Sequence, residues 1–599
     1  MSGIDLSGAV LDDGPAGSPG ALPGQPGTGP RFPGLLLARL WGGQDRSAKL
    51  CMAGLVLIAA AGAIAVAYAT RYGPWAASDS VEYLVSARNL RAGRGLGLYT
   101  ASGRFQPLSL HPPLYPLVLA GLGFLDPSLI SAARWLNVGA VLVVTLLLGV
   151  GLFRLTKSPV TSLGFALTFV TLPVTVWYSA GAMSEALSLV LASGSAVSLI
   201  VFLRRGGWFP LVGAGACAGL AALARLPWLA LLPAGMIALI LFDPASNRSK
   251  FARSSAYVGL GLLPTMAWLA WLSLQGGSAG PRQWGWPEGN PWYLLNEFRL
   301  GVVNRLWSWL PLSFLLSNFA YRTKLALLGV LALVAAAAGG TSIARLSRTR
   351  GSQWKRLVHS QAVVLASAIA LSYAGLLVFT WLFTRPPLAA GDLDDRLMAP
   401  LQLLSILLGF LLFHLLGEAF GRRRLAAMAG LTLASAFVWS AAPTSWKNAA
   451  KLHEEGSGYT SAKWHSSEAI TWLRDFPADQ ALISNETAAL MFLLDRPAFD
   501  IPELVRQTEV DQFTRFGDGD THEDRLFREC QAVLVLFDSA FDQFVVLYDQ
   551  DYVKRWDSFN NGLVLVGSLQ DAKVLVYDNP DEEEPTCGRL IARLRSESN

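Results

Sequence analysis

The sequence predicts a polytopic α-helical membrane protein with interfacial helices in its first external loop and a small C-terminal soluble α/β domain. Three observations predict it. Hydrophobic residues make up 52% of the chain and charged residues only 15%, against about a quarter charged in soluble globular proteins. Apolar runs of about 18 residues or more recur up to about residue 444, each long enough to cross a bilayer. The charge is also divided. Residues 445–599 hold 28 of the 43 acids but only 15 of the 48 bases, so the net +5 joins a basic membrane body to an acidic tail. Continuous Leu, Ala, Val and Gly runs argue against a strand barrel. With no basic soluble domain, nucleic acid is not an expected partner.

Residues 1–45 are expected to form a disordered cytoplasmic segment, because the first 30 are rich in Gly, Pro and Ser with almost no large apolar side chains. The first hydrophobic segment begins near Leu50, too far in for a cleavable signal, and reads as an anchor. A membrane domain over 46–444 follows, with about eleven spans expected. They lie near 50–70, 131–153, 159–180, 183–203, 208–225, 227–242, 255–275, 323–343, 360–383, 397–417 and 424–442. The run 113–125, opened by Pro112-Pro113, is short for a span and is placed as a helix lying at the interface. Residues 307–319 fit either description.

Loop charge sets the orientation. With the N-terminus in the cytoplasm, the cytoplasmic connections carry Arg154 and Lys157; Arg204 and Arg205; Arg248, Lys250 and Arg253; Arg345, Arg348, Arg350, Lys355 and Arg356; and Arg422, Arg423 and Arg424. Only Asp243 and Glu418 oppose them. The expected location is therefore the cell membrane, multi-pass, with the C-terminal domain outside the cytoplasm. Asp79, Glu82, Arg88, His111, Glu185, Arg225, Arg385, the Asp392/Asp394/Asp395 cluster, Arg396 and the Trp-rich loop 276–306 all fall on the external face. Ionisable groups beside a membrane face are costly, and their collection on one side marks a functional site.

The tail, 445–599, has the texture of a soluble domain large enough for its own core. Helical periodicity covers 462–475 and a segment near Thr487–Leu494, and strand-like runs occur at Ala481–Ser484, Ala532–Phe537 and Val574–Tyr577. Of the four cysteines, Cys51 and Cys217 lie in apolar segments. Cys530 and Cys587 in the tail fit either a disulfide in an oxidising compartment or two free thiols. No CxxC or Cys/His cluster points to zinc.

The stretch from Arg71 to Pro116 carries the most chemistry. It reads Ser-Asp-Ser-Val-Glu-Tyr at 78–83, Ala-Arg-Asn-Leu at 87–90, Gly93 and Gly95, then His-Pro-Pro-Leu-Tyr-Pro at 111–116. An external carboxylate serves as general base on a hydroxyl or amine, and Arg and His beside it stabilise a departing phosphate. The planar, permanently charged fork of Arg suits phosphate particularly well.

These pieces resemble the GT-C superfamily of polyprenyl-phosphate-sugar-dependent glycosyltransferases, most closely the branch of protein O-mannosyltransferases and aminoarabinose transferases. That branch has an acidic motif in the first external loop, a Tyr- and Ala-rich interfacial helix, a Gly-x-Gly and a His- or Lys-Pro-Pro-Leu-Tyr element. Met183-Ser184-Glu185 at an external turn is similar as well. Ala224-Arg225-Leu226-Pro227 resembles the family's Thr-Arg-Pro turn, and Asp395-Arg396-Leu397-Met398-Ala399-Pro400 resembles its Asp-Arg-Tyr-x-x-Pro. The resemblance covers about residues 50–440. It departs where the family often has two adjacent acids, since Asp79 and Glu82 are three apart, a spacing that puts both on one helix face.

The resemblance implies an inverting membrane glycosyltransferase, hexosyl- or pentosyltransferase, moving a sugar from a polyprenyl-phosphate donor to a protein, lipid or glycan acceptor on the extracytoplasmic face. Asp79 and Glu82 are the candidate catalytic acids, with Asp79 favoured as base. Arg88, His111, Arg225 and Arg396 are candidate contacts to the donor phosphate, and Tyr83, Tyr115 and Glu185 to the substrate. No cofactor is implied, and the branch works without a metal, although Asp392-Leu393-Asp394 has the look of one metal-binding pattern. Blander readings stand beside these. Asp79 caps the interfacial helix, Glu82 pairs with Arg88 or Arg91, Arg225 and Arg396 snorkel to lipid headgroups, and Trp284, Trp286 and Trp292 form an aromatic belt rather than a sugar platform. The rival functions are a lipid-linked-sugar flippase, which predicts ionisable groups at the bilayer midplane, and an oligosaccharyltransferase- or ligase-like enzyme using a diphosphate-linked glycan.

Overall fold

A computed structural model describes residues 46–126, 128–275, 283–284, 291–311, 320–330, 333, 337, 353–385, 395–477, 480–500, 507–508, 512–513, 525–527, 529–537, 563–577 and 587–597. Residues 1–45, Trp286, Asp392 and Asp394 lie outside them, so the expectations placed there carry no structural statement.

The apolar runs form helices. α1 (Arg46–Ala69) is followed by the loop helix α2 (Ser78–Arg91), a small hairpin of β1 (Gly97–Tyr99) and β2 (Phe105–Pro107), and the short α3 (Leu114–Leu122). Then come α4 (Leu129–Thr156), α5 (Pro159–Thr171), α6 (Pro173–Ser179), α7 (Glu185–Arg205), α8 (Trp208–Ala224), a 3-10 turn (Leu226–Ala230), α9 (Leu231–Phe242) and α10 (Asn247–Leu274). The two-residue strand β3 (Gln283–Trp284) and α11 (Pro291–Ser308) precede α12 (Gln353–Phe383), β4 (Thr384–Arg385), α13 (Asp395–Ala419) and α14 (Arg423–Glu455).

Seven of these helices are long and apolar enough to cross a membrane, and an eighth span exists if α5 and α6, bent by 58° at Leu172, count as one. That count covers the described residues. The expected spans 208–225 and 227–242 fall on α8 and the Leu226–Phe242 segment, which are apolar but shorter than a full span. The expected span 323–343 lies partly outside the described residues, of which 321–330 are helical. α3, with 9 residues, is about 13 Å long and cannot cross a bilayer. Part of the region read as a Trp-rich loop is helix, namely α11.

On α1, Leu50, Leu57 and Ile64 stand exposed along one stripe while Cys51, Leu55, Ala59 and Val66 are buried. Apolar exposure of this kind is what a lipid-facing helix requires. Small residues allow close helix packing in the body. A side chain on Gly219 of α8 would meet the backbone oxygen of Gly261 on α10 at 2.7 Å.

α14 runs unbroken through residue 444, so the last apolar stretch and the start of the tail are one rod. The tail continues as α15 (Ala462–His465), α16 (Glu468–Arg474), β5 (Ala481–Ser484), α17 (Thr487–Leu494), β6 (Phe499–Asp500), β7 (Gln507–Thr508), β8 (Gln512–Phe513), β9 (Ala532–Phe537), β10 (Leu563–Ser568), β11 (Ala572–Tyr577) and α18 (Gly588–Glu597). The expected helix over 462–475 is two short ones, because Ser467 caps α16 by accepting from the backbone N–H of Ile470. Five strands form a sheet in the order β10-β11-β9-β5-β6, with β5 parallel to β6 and β9, and β11 antiparallel to β9 and β10. Its core gathers Ile470, Leu473, Val533, Val535, Val574 and Val576. Cys530 and Cys587 are joined as a disulfide with Cα atoms 5.4 Å apart. Cys51 is a buried free thiol and Cys217 a partly buried one.

Candidate active site

Backbone pairing first brings the site's segments together. The chain leaving α1 lies alongside the turn before α7. Trp75 N–H donates to Ala180 O at 2.8 Å, and Ala182 N–H returns to Trp75 O at 2.9 Å. The indole Nε1 of Trp75 also donates to Trp177 O. Gly181 is required there, because a Cβ would meet the Trp75 ring at 2.5 Å. Buried Asn137 of α4 donates to Gly181 O. The result sets the N-termini of α2 and α7 side by side.

Within α2, Ser80 does the capping, accepting from Ala77 N–H at 3.2 Å. Asp79 is therefore free of that duty. Asp79, Glu82 and Tyr83 share one helix face, and His111 approaches it from the Pro112-Pro113 turn that opens α3. His111 Nε2 lies 3.6 Å from Asp79 Oδ1 and 3.7 Å from Glu82 Oε2. The Tyr83 ring packs at a tilt against His111 and edge-on against Tyr115, with centroids 5.0 and 5.2 Å away. Tyr83 and Ser184 share a 3.4 Å hydrogen bond.

Arg396, in the first turn of α13, joins two carboxylates. Its Nη1 donates to Asp79 Oδ2 at 2.7 Å, and its Nε lies 3.2 Å from Glu185 Oε1. Arg225, where α8 ends, places Nη1 3.3 Å from the same Glu185 oxygen. Asp79, Glu82, His111, Glu185, Arg225 and Arg396 thus form one continuous acid–cation cluster, flanked by Tyr83 and Tyr115. Each member sits at a helix end or in the loop between α1 and α4.

The electrostatics separate the two acids of α2. Burial pushes the Asp79 carboxyl upward, but hydrogen bonding and charge from His111 and Arg396 outweigh it and hold the group well below the ordinary carboxylate range. Burial raises Glu82, and His111 offsets this only in part. Burial, reinforced by the charge on Glu185, likewise raises the phenols of Tyr83 and Tyr115 far above their ordinary value. Two buried polar atoms in the cluster, Tyr115 Oη and Glu185 Oε2, have no hydrogen-bond partner among the described residues. Buried polar groups are nearly always satisfied, so the two together mark a site shaped for a polar ligand.

Glu185, Arg225 and Arg396 open into a cavity whose remaining walls are mostly apolar, including Phe169, Leu172, Leu189 and Leu403. Through Leu189, Trp228, Pro400 and Leu403 it meets a second, larger and almost wholly apolar cavity.

Arg88 stands apart from the cluster, contrary to the sequence expectation. Nine residues beyond Asp79 on an α-helix is half a turn out of phase, and Arg88 instead donates to Asp495 Oδ1 at 2.9 Å and to Phe492 O at 3.1 Å. Arg94 reaches the same Asp495 at 3.4 Å. With Phe492 packed against α2 and α3, this couples the loop between α1 and α4 to the α/β tail. Glu82 pairs with neither Arg88 nor Arg91; its ionic neighbour is His111. Asp395 pairs with Arg305 of α11 at 2.7 Å. Trp292 is exposed, and Trp284 and Arg385 lie on the paired strands β3 and β4. Asn137, Trp75 and Asp495 were not singled out from the sequence.

The fold and site define a multi-pass membrane protein with a mixed acid–cation centre at one end of its helices, opening onto an apolar cavity. No protein-family model matches this sequence, and no curated protein matches it either. Among solved structures the chain is similar to ArnT from Cupriavidus metallidurans in the apo state, with 13% identity and a TM-score of 0.42, covering 87% of this chain and 97% of that one. The same ArnT bound to undecaprenyl phosphate gives 14% identity over the same coverage at a TM-score of 0.42. An Archaeoglobus fulgidus oligosaccharyltransferase tethered with an acceptor peptide gives 9% identity and a TM-score of 0.47, covering 82% of this chain and 69% of that one.

Proposed function

We propose that this protein is an inverting membrane glycosyltransferase that moves a sugar from a polyprenyl-phosphate donor to an acceptor on the extracytoplasmic face. The observation that carries the reading is the convergence of an ionised carboxylate, two guanidinium groups and two unsatisfied buried oxygens at the mouth of an apolar cavity. A phosphate headgroup with a long hydrocarbon tail matches both halves of that arrangement.

In this mechanism the donor phosphate lies against Arg225 and Arg396, with His111 at its flank, and the prenyl chain continues past Trp228 into the apolar cavity. An acceptor hydroxyl gives its proton to Asp79 as its oxygen bonds to the anomeric carbon. The bond from that carbon to the phosphate oxygen breaks, and the electron pair leaves with the polyprenyl phosphate. Arg225 and Arg396 offset the charge that develops there. Attack opposite the leaving phosphate inverts the anomeric centre. The unsatisfied oxygens of Tyr115 and Glu185 hold sugar hydroxyls.

Arg396 gives the site its timing. Without donor it neutralises Asp79, which lowers that carboxylate's appetite for a proton. A phosphate that draws Arg396 toward itself raises the basicity of Asp79 only when a donor is present. The flippase alternative requires ionisable groups near the bilayer midplane, whereas Asp79, Glu185 and Arg396 begin helices and Arg225 ends one.

Donor binding tests the reading. Hydrogen bonds to charged groups contribute about 1.5–3 kcal/mol each, so Arg396→Gln and Arg225→Gln should each weaken binding of a polyprenyl-phosphate sugar by roughly tenfold or more. Wild-type affinity in both variants, measured by calorimetry in detergent, would remove the phosphate assignment.

A further inference from the structure

The apolar cavity has a second mouth. It shares Arg154, Leu155 and Arg204 with a third cavity at the far ends of α7 and α13. α7 has 21 residues between Glu185 and Arg205, a length of about 30 Å, so the two mouths stand a hydrocarbon core apart. Arg154, Lys157, Arg204, Arg423 and Arg424 line the third cavity. Facing them, Glu418 pairs with Arg423 at 3.3 Å and stands 3.8 Å from His414 Nε2. Among the described residues, Arg154, Lys157, Arg204 and Arg424 have no ion pair.

A basic mouth on the side read as cytoplasmic follows already from loop charge. Arg204 does not follow from it. A cation that only marks sidedness extends its head into water, whereas Nε and Nη2 of Arg204 are buried and have no hydrogen-bond partner. Leaving such donors unmade is costly, and here they lie where the basic and apolar cavities meet.

We propose that this second mouth binds an anionic, phosphate-headed membrane lipid, its headgroup held by Arg204, Arg154 and Lys157 and its chain entering the apolar cavity beside Leu148, Leu155 and Val201. Charge complementarity selects the headgroup, since four unpaired cations face one carboxylate that is already engaged. The fork of Arg204 supplies two convergent donors suited to phosphate oxygens. A free phosphate would satisfy the cations but not the apolar wall that adjoins them, so the lipid fits this mouth, its chain and the donor's prenyl chain entering the cavity from opposite ends. This inference is independent of sugar transfer.

Native mass spectrometry of the full-length protein with phosphatidylglycerol, phosphatidylcholine and inorganic phosphate tests it. Retained phosphatidylglycerol should exceed phosphatidylcholine. Arg204→Gln should weaken retention about tenfold or more, and Ala196→Phe, which keeps every cation but narrows the apolar cavity, should do the same. Arg396→Gln at the other mouth should leave it unchanged, and inorganic phosphate should not displace the lipid. Wild-type retention in both Arg204→Gln and Ala196→Phe, equal retention of phosphatidylcholine, displacement by inorganic phosphate, or loss only in Arg396→Gln would each overturn the proposal. Absence of glycosyl transfer would leave these readouts unaffected.

Discussion

Arg396 is the side chain on which the site turns, because among the described residues it alone touches both the Asp79 and the Glu185 carboxylates. Its neighbours divide the work of ionisation. Asp79 stays a carboxylate far into acid, while Glu82, raised by burial, takes up a proton first as pH falls. The acid limb of the transfer rate should therefore follow Glu82. Glu82→Gln mimics its protonated form, so that variant should run at a low, flat rate across the range where wild type declines. A rate profile in Glu82→Gln that keeps the wild-type acid limb would assign the limb elsewhere. Much of this chemistry was legible in the residues, since the motifs at 79–83, 111–116, 185, 225 and 396 converge. The pairing was not. A carboxylate and a guanidinium separated by 317 positions carry no local signal that they meet.

At the scale of elements, two arrangements hold the site. The first is helical phase on α2, which puts Asp79, Glu82 and Tyr83 toward the cluster and Arg88 toward Asp495. The spacing alone contains that answer, and Arg88 was assigned to phosphate by its presence in the motif rather than by its angle around the helix. Asp495→Ala should cost little stability, under about 1 kcal/mol as for other exposed pairs, while Phe492→Ala, which empties a buried position beneath α2, should cost about 3 kcal/mol or more. Denaturant titration of the two variants separates charge from packing, and equal losses would contradict this division. The second arrangement is the Trp75–Gly181 backbone pairing. Gly181→Val drives a side chain into the indole, so a loss of about 1–3 kcal/mol is expected, with transfer activity falling alongside. Full activity with the melting temperature unchanged would show that the pairing does not align α2 and α7. Nothing around position 181 announces this pairing in the sequence, because the partner lies over a hundred residues away.

Over the whole molecule, the acid–cation centre and the basic mouth occupy opposite ends of the same helices. Loop charge made that polarity readable, and ten of the eleven expected spans fall on described helices, of which α8 and the Leu226–Phe242 segment are shorter than a full span. The tail's strands at 481–484 and 532–537 were readable from their β-branched and apolar runs, but β10 passed unnoticed. The Cys530–Cys587 bond stabilises that tail by about 2–4 kcal/mol through loop closure and requires an oxidising compartment. Alkylation without reductant should therefore leave both tail cysteines unlabelled, and labelling of both would contradict an extracytoplasmic tail. The most direct measurement is in vitro transfer from a panel of polyprenyl-phosphate sugars by wild type and Asp79→Asn. The account predicts turnover by wild type on at least one donor and a loss of about a hundredfold or more in Asp79→Asn with donor still bound; equal transfer by the two proteins would contradict it.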